Sequence, residues 1–228
     1  MAANEPKRTA LLVGATGLVG GHCLRQLLAS DDWSQVVVLA RRRISLTHPK
    51  LVSRLVDFDR LSQLSGFPRV TDVFCALGTT IAKAGSQPEF HKVDFTYVVE
   101  TARLAAVSGA KQFLLVSATG ADRSSSLFYS RVKGEAEEAV KKLPFAAVRI
   151  LRPSFLTGDR GDSRPVERLG ITVLSALSFA MIGPLQRYRP VDAADVARAM
   201  LKVARRNETG IHVYESERIG EIGRGGEG

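Results

Sequence analysis

Short apolar runs rich in β-branched residues recur along the first two thirds of the chain, and longer segments with apolar residues at helical spacing separate them. The runs predict six strands, at Ala10–Val13, Val36–Ala40, Leu51–Val56, Val70–Ala76, Gln112–Ser117 and Ala146–Leu151. The segments between them predict helices near Val19–Ala29, Leu61–Leu64, Pro88–Ser108 and Phe128–Leu143. This alternation is typical of a doubly wound α/β fold, in which helices flank a parallel sheet.

The pattern becomes less regular after Leu151. Residues of about 152–190 are expected to cover a ligand site, as a small substrate-covering region toward the C-terminus. Within them, the apolar stretch Leu169–Ile182 is open to three interpretations: a pocket lining, a subunit contact or a last piece of the core.

The C-terminal part is predicted to return to regular structure. Asp192 is expected to cap a helix over Ala193–Arg205, followed by a short apolar run at Ile211–Tyr214. The glycine-rich residues 220–228 are expected to fray. Because neither a repeat nor a linker divides the sequence, residues 1–228 are predicted to form a single domain.

A glycine motif, GATGLVG, directly follows the first predicted strand and opens the first helix. Gly14 permits a tight turn, Gly17 lets the backbone approach a pyrophosphate, and Gly20 permits close packing of the helix. The N–H groups at the start of the helix would then face the anion. The motif predicts a Rossmann-like dinucleotide-binding turn, and the alternative is a merely flexible connection between strand and helix.

Arginines stand at the end of the second predicted strand, where an NAD-preferring site would place an acid for the ribose hydroxyls. Arg41, Arg42 and Arg43 suit a ribose phosphate, because guanidinium groups form paired, charge-assisted bonds to phosphate. NADP(H) is therefore the predicted cofactor, against the alternative of a solvated charged loop. After the third strand, Asp57 and Phe58 are candidates for adenine contacts, with an ordinary strand-ending loop as the alternative.

Tyr129 and Lys133 in the segment YSRVK lie four residues apart on one helical face, so both can approach the same ligand. A phenol is a poor acid–base at neutral pH unless a nearby cation stabilises its ionised form. Ser117 ends the fifth predicted strand, and the carboxyl ends of parallel strands face the ligand crevice. Ser117, Tyr129 and Lys133 thus predict carbonyl reduction or alcohol oxidation. The alternative gives Ser117 and Tyr129 structural roles only.

Composition and charge bear on whether the protein binds nucleic acid or metal and on where in the cell it is expected. The formal charge of +9 and the pI of about 9.9 suit an acidic partner, but the basic residues lack the aromatic-interleaved pattern of nucleic-acid binders. Nucleic acid is therefore an unlikely partner. The histidines lack ligand spacing, so no metal is expected. Cys23 and Cys75 are predicted to be buried thiols in a reducing compartment. Without a signal peptide or a run of about 18 apolar residues, we expect a cytoplasmic protein with no membrane span.

The order of these motifs resembles the atypical branch of the short-chain dehydrogenase/reductase superfamily. More narrowly, Leu55–Phe58, Cys75–Thr80, Lys83–Gly85, Val116–Asp122 and Arg152–Pro153 are similar to the Tat-interacting-protein oxidoreductase group. The resemblance implies NADP(H) binding, with Tyr129 as the acid–base. The implied cofactor contacts are Gly14, Thr16, Gly17, Leu18, Val19, Arg41, Arg42, Leu77, Gly78, Thr79, Lys133 and Pro153. Asp94 departs from the asparagine that many relatives carry, and the chain after Leu151 is too short for a large nucleotide-sugar pocket.

Three functions follow as hypotheses. The first is an NADP(H)-dependent oxidoreductase acting on a small carbonyl or alcohol substrate. The second is an NADP(H)-sensing regulatory protein that binds a protein partner or a second copy of itself, because a fold alone does not prove catalysis. The third is nucleic-acid binding through the net charge, which predicts affinity that falls steeply with salt.

Overall fold

A computed structural model describes residues 8–158, 189–206 and 208–225. Within them, one parallel sheet contains β1 (Arg8–Val13), β2 (Trp33–Ala40), β3 (Leu51–Leu55), β4 (Asp72–Cys75), β5 (Gln112–Val116), β6 (Ala147–Arg152) and β9 (Gly210–Glu215). Two short strands, β7 (Leu156–Thr157) and β8 (Val191–Asp192), pair with each other. The α-helices are α1 (Leu18–Ala29), α2 (Ile81–Ala84), α3 (Gln87–His91), α4 (Tyr97–Val107), α5 (Phe128–Lys141), α6 (Ala193–Arg205) and α7 (Ser216–Arg224).

The order of strands in the large sheet is β3-β2-β1-β4-β5-β6-β9. The chain first builds outward from β1 to β3 and then starts again on the other side of β1 with β4. The predicted doubly wound α/β fold is therefore confirmed. The six predicted strands are present, and the apolar run at Ile211–Tyr214 supplies a seventh, which pairs with β6.

Each face of the sheet has its own buried core. On one face, α1, α6 and α7 pack on side chains such as Leu12, Val38 and Phe74. On the other face, α4 and α5 pack on side chains such as Leu11, Val73 and Phe113. Because neighbouring residues of a strand point to opposite faces, a strand segment covered on both sides is apolar throughout, as residues Ala10–Val13 of β1 are.

Two predicted helices differ from the structure. Residues 88–108 do not form one helix: α3 ends at His91, and the π-helical turn Lys92–Thr96 connects it to α4. The segment predicted as a helix at Leu61–Leu64 is a 3-10 helix over Phe58–Gln63. A π-helical turn inserts an extra residue without interrupting the helical path, so the apolar spacing alone does not reveal it.

Asp192 caps α6 as predicted, with its side chain accepting a hydrogen bond from the backbone N–H of Ala194. The expectation that the chain frays from Gly220 is wrong up to Arg224, because α7 continues to that residue. Ile219 and Ile222 bury themselves against α6, so packing outweighs the low helix propensity of glycine. Most of the predicted substrate-covering region, including Leu169–Ile182, lies outside the described residues.

Candidate cofactor and proton-transfer site

The turn between β1 and α1 is closed tightly around its glycines. Gly14 has a φ of +84°, and a Cβ atom on it would lie 2.3 Å from the carbonyl oxygen of Ala76. A Cβ on Gly20 would lie 2.1 Å from the carbonyl oxygen of Gly14. The backbone N–H of Gly17 donates to the Gly14 carbonyl at 2.9 Å. Both Gly14 and Gly20 are therefore required by close backbone approach, as the motif predicted.

The start of α1 suits an anion. Gly17 is the N-cap residue, which has no side chain to occupy the N–H groups, and the first turn carries no acidic residue. Thr16 and Gly17 are exposed, whereas Leu18 is half-buried and Val19 is buried. N–H groups and the positive end of the helix dipole bind phosphate at such a position. The turn therefore fits the pyrophosphate of a dinucleotide.

The loop after β4 lies directly beside this turn. The strand order reverses between β1 and β4, and ligands of open α/β sheets bind in the crevice at this reversal. Ala76 at the end of β4 approaches Gly14 closely, and Leu77, Gly78 and Thr79 follow it. The structure thus brings the predicted contacts after β4 next to the glycine turn.

Arg41, Arg42 and Arg43 follow β2, the other neighbour of β1, and all three are exposed. Asp59 on the 3-10 helix lies close enough to feel the charge of Arg41. The pKa of Asp59 is lowered, mainly by the hydrogen bond from the Tyr97 hydroxyl at 2.7 Å and by the ammonium of Lys92, with Arg41 adding to the effect. The arginines are thus exposed, and the carboxylate of Asp59 lies within electrostatic reach of Arg41.

The two predicted adenine contacts after β3 have different surroundings. Phe58 is 6% exposed and packs on Tyr97 with ring centroids 5.4 Å apart, so its ring belongs to the core. Asp57 is exposed and caps the 3-10 helix by accepting the backbone N–H of Asp59 at 3.0 Å. Phe58 therefore presents little surface to a ligand, whereas Asp57 beside it is exposed, and the adenine contacts of both stay a prediction.

Lys133 forms a buried ion pair. Its Nζ lies 2.7 Å from Oδ1 of Asp94, and the side chains are 8% and 0% exposed. Burial opposes the ammonium, but the electrostatic interaction with Asp94, and to a smaller degree with Tyr129, outweighs it and raises the pKa of Lys133. Lys133 therefore stays charged in the folded protein.

Tyr129 lies one helical turn before Lys133 at the start of α5, and 39% of its surface is exposed. Its ring packs against Phe90 of α3 with centroids 5.5 Å apart, which holds the ring in place although the residue is exposed. The structure thus places the predicted pair together, with the ammonium buried and the phenol open to a ligand.

Ser117 has a buried partner within the protein, and its predicted bond to a substrate oxygen stays a prediction. It is 5% exposed, and its hydroxyl donates to Oε1 of Glu137 at 2.6 Å. Glu137 is itself held by the guanidinium of Arg152, with bonds of 2.9 and 2.6 Å. This pairing raises the pKa of Arg152. Next to it, the buried Pro153 accepts the backbone N–H of Thr119 through its carbonyl.

Sequence reasoning missed the roles of Asp94 and Glu137. Both are acidic residues at positions that otherwise face the core: Asp94 shares a helical face with Val98 and Ala105, and Glu137 follows Ala136 in α5. A carboxylate on such a face requires a buried cation, which is Lys133 for one and Arg152 for the other. An acidic residue at a core-facing position was therefore the feature of the sequence that could have indicated both ion pairs.

The described residues were also compared with the requirements of a membrane-spanning helix and of a metal site. No helix in the described part of the chain is long and apolar enough to cross a membrane. Among residues 8–158, 189–206 and 208–225, no three His, Cys, Asp or Glu side chains are grouped as metal ligands would be. Cys23 and Cys75 are buried free thiols, and burial raises the pKa of Cys75 to about 12.

The fold and the glycine turn define a nucleotide-binding domain of the doubly wound class. Residues 14–207 match the model of a family described as NAD(P)H-binding, and the chain belongs to this family. The resemblance that the motifs predicted is confirmed by relatives. Protein HTATIP2 of Rattus norvegicus is 35% identical over 198 residues, which cover 85% of this chain and 80% of the relative.

A second relative is a fungal protein named fmp52, mitochondrial, from Aspergillus niger. It is 39% identical over 163 residues, which cover 68% of this chain and 70% of the relative. Its name assigns that relative to mitochondria, so our expectation of a cytoplasmic protein stays a prediction.

Solved structures share the fold at low sequence identity. MoeE5 in complex with UDP-glucose and NAD superposes with a TM-score of 0.68 at 16% identity, over 92% of this chain and 79% of that chain. WbmF of Bordetella bronchiseptica in complex with NAD+ gives a TM-score of 0.67 at 15% identity, over 97% and 78% of the two chains. These similarities support the Rossmann-like fold.

Proposed function

We propose that this protein is an NADP(H)-dependent oxidoreductase of the short-chain dehydrogenase/reductase type, with a small carbonyl or alcohol substrate. The observation that carries the proposal is the pair formed by Tyr129 and Lys133. An accessible phenol lies one helical turn from a buried ammonium, at the edge of the sheet where the glycine turn lies. Such a pair is suited to move a proton to or from a substrate oxygen.

Different residues of the crevice bind different parts of the cofactor. Gly14, Thr16, Gly17, Leu18 and Val19 hold the pyrophosphate, and Arg41–Arg43 bind the ribose phosphate that distinguishes NADP(H) from NAD(H). Leu77, Gly78, Thr79 and Pro153 line the nicotinamide side. The bound cofactor supplies or accepts the hydride.

The side chains of the protein carry out the proton transfer. Tyr129 donates its hydroxyl proton to a carbonyl oxygen in reduction and, as the phenolate, removes a hydroxyl proton in oxidation. Lys133 favours the phenolate through its charge and has further N–H donors for the ribose hydroxyls. The Ser117 hydroxyl donates a hydrogen bond to Glu137, which holds the serine side chain in place. The oxygen of that hydroxyl can therefore still accept a hydrogen bond from a substrate alcohol.

Fluorescence titration with NADPH and NADH tests the cofactor. We expect tighter binding of NADPH, and we expect the variant Arg41→Ala/Arg42→Ala to lose about tenfold or more of its NADPH affinity while binding NADH nearly as before. Arg103→Ala is the matched control, because Arg103 is exposed on α4 and pairs with Glu100 in its own helix. NADH binding that equals or exceeds NADPH binding would reject the role of the arginines.

Turnover with a panel of carbonyls and alcohols tests the chemistry. We expect Tyr129→Phe to lose at least about a hundredfold in kcat while it keeps its NADPH affinity, because only the proton-transferring hydroxyl is removed. Phe128→Leu, the adjacent substitution, is the control for packing against Phe90. Undiminished turnover in Tyr129→Phe would remove Tyr129 from the mechanism.

The alternative function is an NADP(H)-sensing protein that binds a protein partner without catalysis. One observation favours it: the hydroxyl proton of Ser117 is committed to a buried carboxylate. NADPH binding without NADPH consumption on any substrate, together with a pull-down that responds to NADPH, would support this alternative over the first. The oxidoreductase proposal also includes a location in the cytoplasm and a substrate-covering role for residues 152–190.

A further inference from the structure

A cavity of about 280 Å³ lies between the start of β8 and α7. Arg189 and Val191 line it from the first of these elements, and Ser216, Gly220 and Arg224 line it from the second. The described residues that line the cavity include none of the predicted cofactor contacts and none of the predicted catalytic residues. The cavity is therefore a feature that the proposed function does not yet use.

Hydrogen bonds connect the wall of the cavity to the end of β6. Ser154 follows Pro153, which is predicted to lie on the nicotinamide side. The backbone N–H of Ser154 donates to Oγ of the buried Ser216 at 3.1 Å, and the Ser154 hydroxyl donates to the carbonyl oxygen of Arg189. One residue beside the predicted cofactor site therefore holds both the backbone of Arg189 and the first residue of α7.

The cavity lies at the same edge of the sheet as the glycine turn. The strands are parallel, and α7 begins directly after β9, so its first residues lie at the carboxyl end of that strand. β9 is two strands away from β5, and neighbouring strands are about 4.8 Å apart, so the two strand ends are about 10 Å apart. Because Ser117 follows β5 at this edge, a substrate bound beside Ser117 and Tyr129 can reach the cavity with its far end.

The charges that line the cavity are unequal. Arg189 and Arg224 form no ion pair with any carboxylate of the described ranges. Glu221 also lines the cavity, but its carboxylate is paired with Arg218 at 2.8 Å. Glu217 is then the one lining carboxylate that has no ion pair within the part of the chain that the structure describes. The two unpaired guanidinium groups outnumber it, so the lining has a net positive charge.

Gly220 determines where the guanidinium of Arg224 lies. A Cβ atom on Gly220 would lie 3.1 and 3.2 Å from the two terminal nitrogens of Arg224 and 3.3 Å from its Cζ. The guanidinium therefore lies against the backbone of α7, one turn before its own Cα atom. A planar guanidinium held in this way presents its N–H donors in a fixed arrangement, which suits the paired oxygens of a carboxylate or a phosphate.

We propose that this cavity binds a carboxylate or phosphate group at the far end of the substrate, and that Arg189 and Arg224 are its ligands. The inference rests on the proposed function and narrows it, because the substrate becomes a carbonyl or alcohol compound with an anionic group remote from the reacting carbon. The binding of the anion itself depends on the cavity alone. Glu217 repels the anion and limits its affinity.

Calorimetric titration with inorganic phosphate at constant ionic strength tests the binding of the anion. The protein is first saturated with whichever of NADPH and NADH binds more tightly, so that the glycine turn is occupied. We expect Arg189→Gln and Arg224→Gln each to weaken phosphate binding at least about tenfold, because each removes charge-assisted bonds. We expect Glu217→Gln to strengthen it by about threefold or more, because a like charge is removed.

The opposite sign expected for Glu217→Gln separates a specific site from general damage, because a distorted fold would weaken binding in every variant. Arg103→Gln is the matched control: it removes the same charge from an exposed position on α4 and should leave phosphate binding unchanged. Unchanged phosphate affinity in both variants of the cavity arginines would overturn the proposal. A loss in Arg103→Gln equal to theirs would also overturn it, since it would show a response to net charge only.

Steady-state kinetics with suberate semialdehyde and octanal test whether the anion belongs to the substrate. The two aldehydes have the same chain length, and only the first has a carboxylate at its far end. We expect Arg189→Gln/Arg224→Gln to raise KM for suberate semialdehyde at least about tenfold, with kcat nearly unchanged and octanal unaffected. Equal effects on both aldehydes would overturn the assignment to the substrate. Phosphate binding that still depends on the arginines would then identify a separate small anion as the ligand.

Failure of the proposed function and failure of this inference are distinguishable. Phosphate binding that depends on Arg189 and Arg224, without turnover of any carbonyl or alcohol, rejects the proposed function and leaves the cavity as an anion site. Turnover together with phosphate binding that ignores both arginines rejects the inference and leaves the proposed function in place.

Discussion

The hydrogen atom that serves as the side chain of Gly20 leaves room for the backbone of Gly14. A methyl group in its place would lie 2.1 Å from the carbonyl oxygen of Gly14, well inside contact distance. The next residue, Gly21, differs, since a methyl group there would lie 3.6 Å from the carbonyl oxygen of Ala15. Two adjacent glycines of one helix therefore have unequal steric requirements.

We predict that Gly20→Ala opens the phosphate turn, destabilises the fold by about 1–3 kcal/mol and weakens NADPH binding by at least about tenfold. Gly21→Ala should be neutral or stabilise by up to about 1 kcal/mol, because alanine is the better helix former. Thermal unfolding and NADPH titration measure both effects. Equal behaviour of the two variants would contradict the close approach of Gly20 to Gly14.

His22 on α1 provides a test of stability against pH. Its Nδ1 accepts a hydrogen bond from Arg25 at 3.1 Å, and burial, followed by the charge of Arg25, lowers its pKa from the usual 6.5. The unfolded chain therefore binds the proton more strongly than the folded protein does. Stability is retained above pH 6.5 and falls as the pH decreases toward the folded pKa.

We predict that His22→Gln loses less stability than the parent between about pH 7 and about pH 5. Urea unfolding at both pH values measures the difference. The control His212→Gln removes a half-buried histidine from β9, whose Nε2 lies 2.9 Å from the carbonyl oxygen of Thr209, and should follow the parent. A steeper loss of stability in His22→Gln would show that the imidazole is not the group responsible.

At the residue scale, local motifs predicted what local geometry determines. The glycine turn and the spacing of Tyr129 and Lys133 depend on a few neighbouring residues, so the sequence is sufficient for them. The burial of Phe58 and the bond from Ser117 to Glu137 depend on residues 39 and 20 positions away in the chain. Such pairs become neighbours only through tertiary packing, which hydrophobic periodicity does not encode.

At the scale of the element, α7 shows how packing outweighs composition. Its sequence is rich in glycine, yet Ile219 and Ile222 pack on α6 and the helix continues to Arg224. A Cβ on Gly223 would lie 2.4 Å from the carbonyl oxygen of Asp195, so this glycine permits the two helices to touch. Glycine weakens an isolated helix, but here Gly223 allows α7 to pack closely against α6.

We predict that Gly223→Ala pushes α7 away from α6 and lowers the free energy of unfolding by about 1–3 kcal/mol. Gly220→Ala is the matched control in the same helix, since the atoms nearest to a Cβ there belong to the guanidinium of Arg224, at 3.1 Å, which can move aside. Thermal unfolding of both variants distinguishes them. A larger loss in Gly220→Ala than in Gly223→Ala would contradict this account of the contact.

At the scale of the whole molecule, a polar network joins the amino-terminal ends of the central strands. Asp72 accepts bonds from Arg8 at 2.8 Å, from Nε1 of Trp33 at 2.7 Å and from Gln112 at 2.5 Å. Arg8 and Gln112 also donate to the carbonyl oxygen of Ala204 near the end of α6. The network thus connects β1, β2, β4 and β5 to α6, opposite the cofactor end of the sheet.

We predict that Asp72→Ala lowers the free energy of unfolding by about 3–5 kcal/mol, because it leaves buried donors without their acceptor. Urea unfolding followed by the fluorescence of Trp33, the single tryptophan, measures the loss. Asp31→Ala is the control: its carboxylate is fully exposed and pairs with Lys50 at 3.6 Å, so we expect no measurable change in stability. A loss below about 1 kcal/mol in Asp72→Ala would refute the structural importance of the network.

The packing of α1 against α6 has a consequence for biosynthesis. The predicted cofactor contacts run from Gly14 to Pro153, and the ribosome delivers all of them before α6 begins at Ala193. The inner face of α1, however, with Cys23, Leu24 and Leu27, belongs to the same buried core as Val196 and Met200 of α6, which packs against it. A nascent chain that already contains every ligand-contacting residue therefore still exposes the back of its phosphate-binding helix to water. We expect it to acquire a dinucleotide only after its final helices have left the exit tunnel.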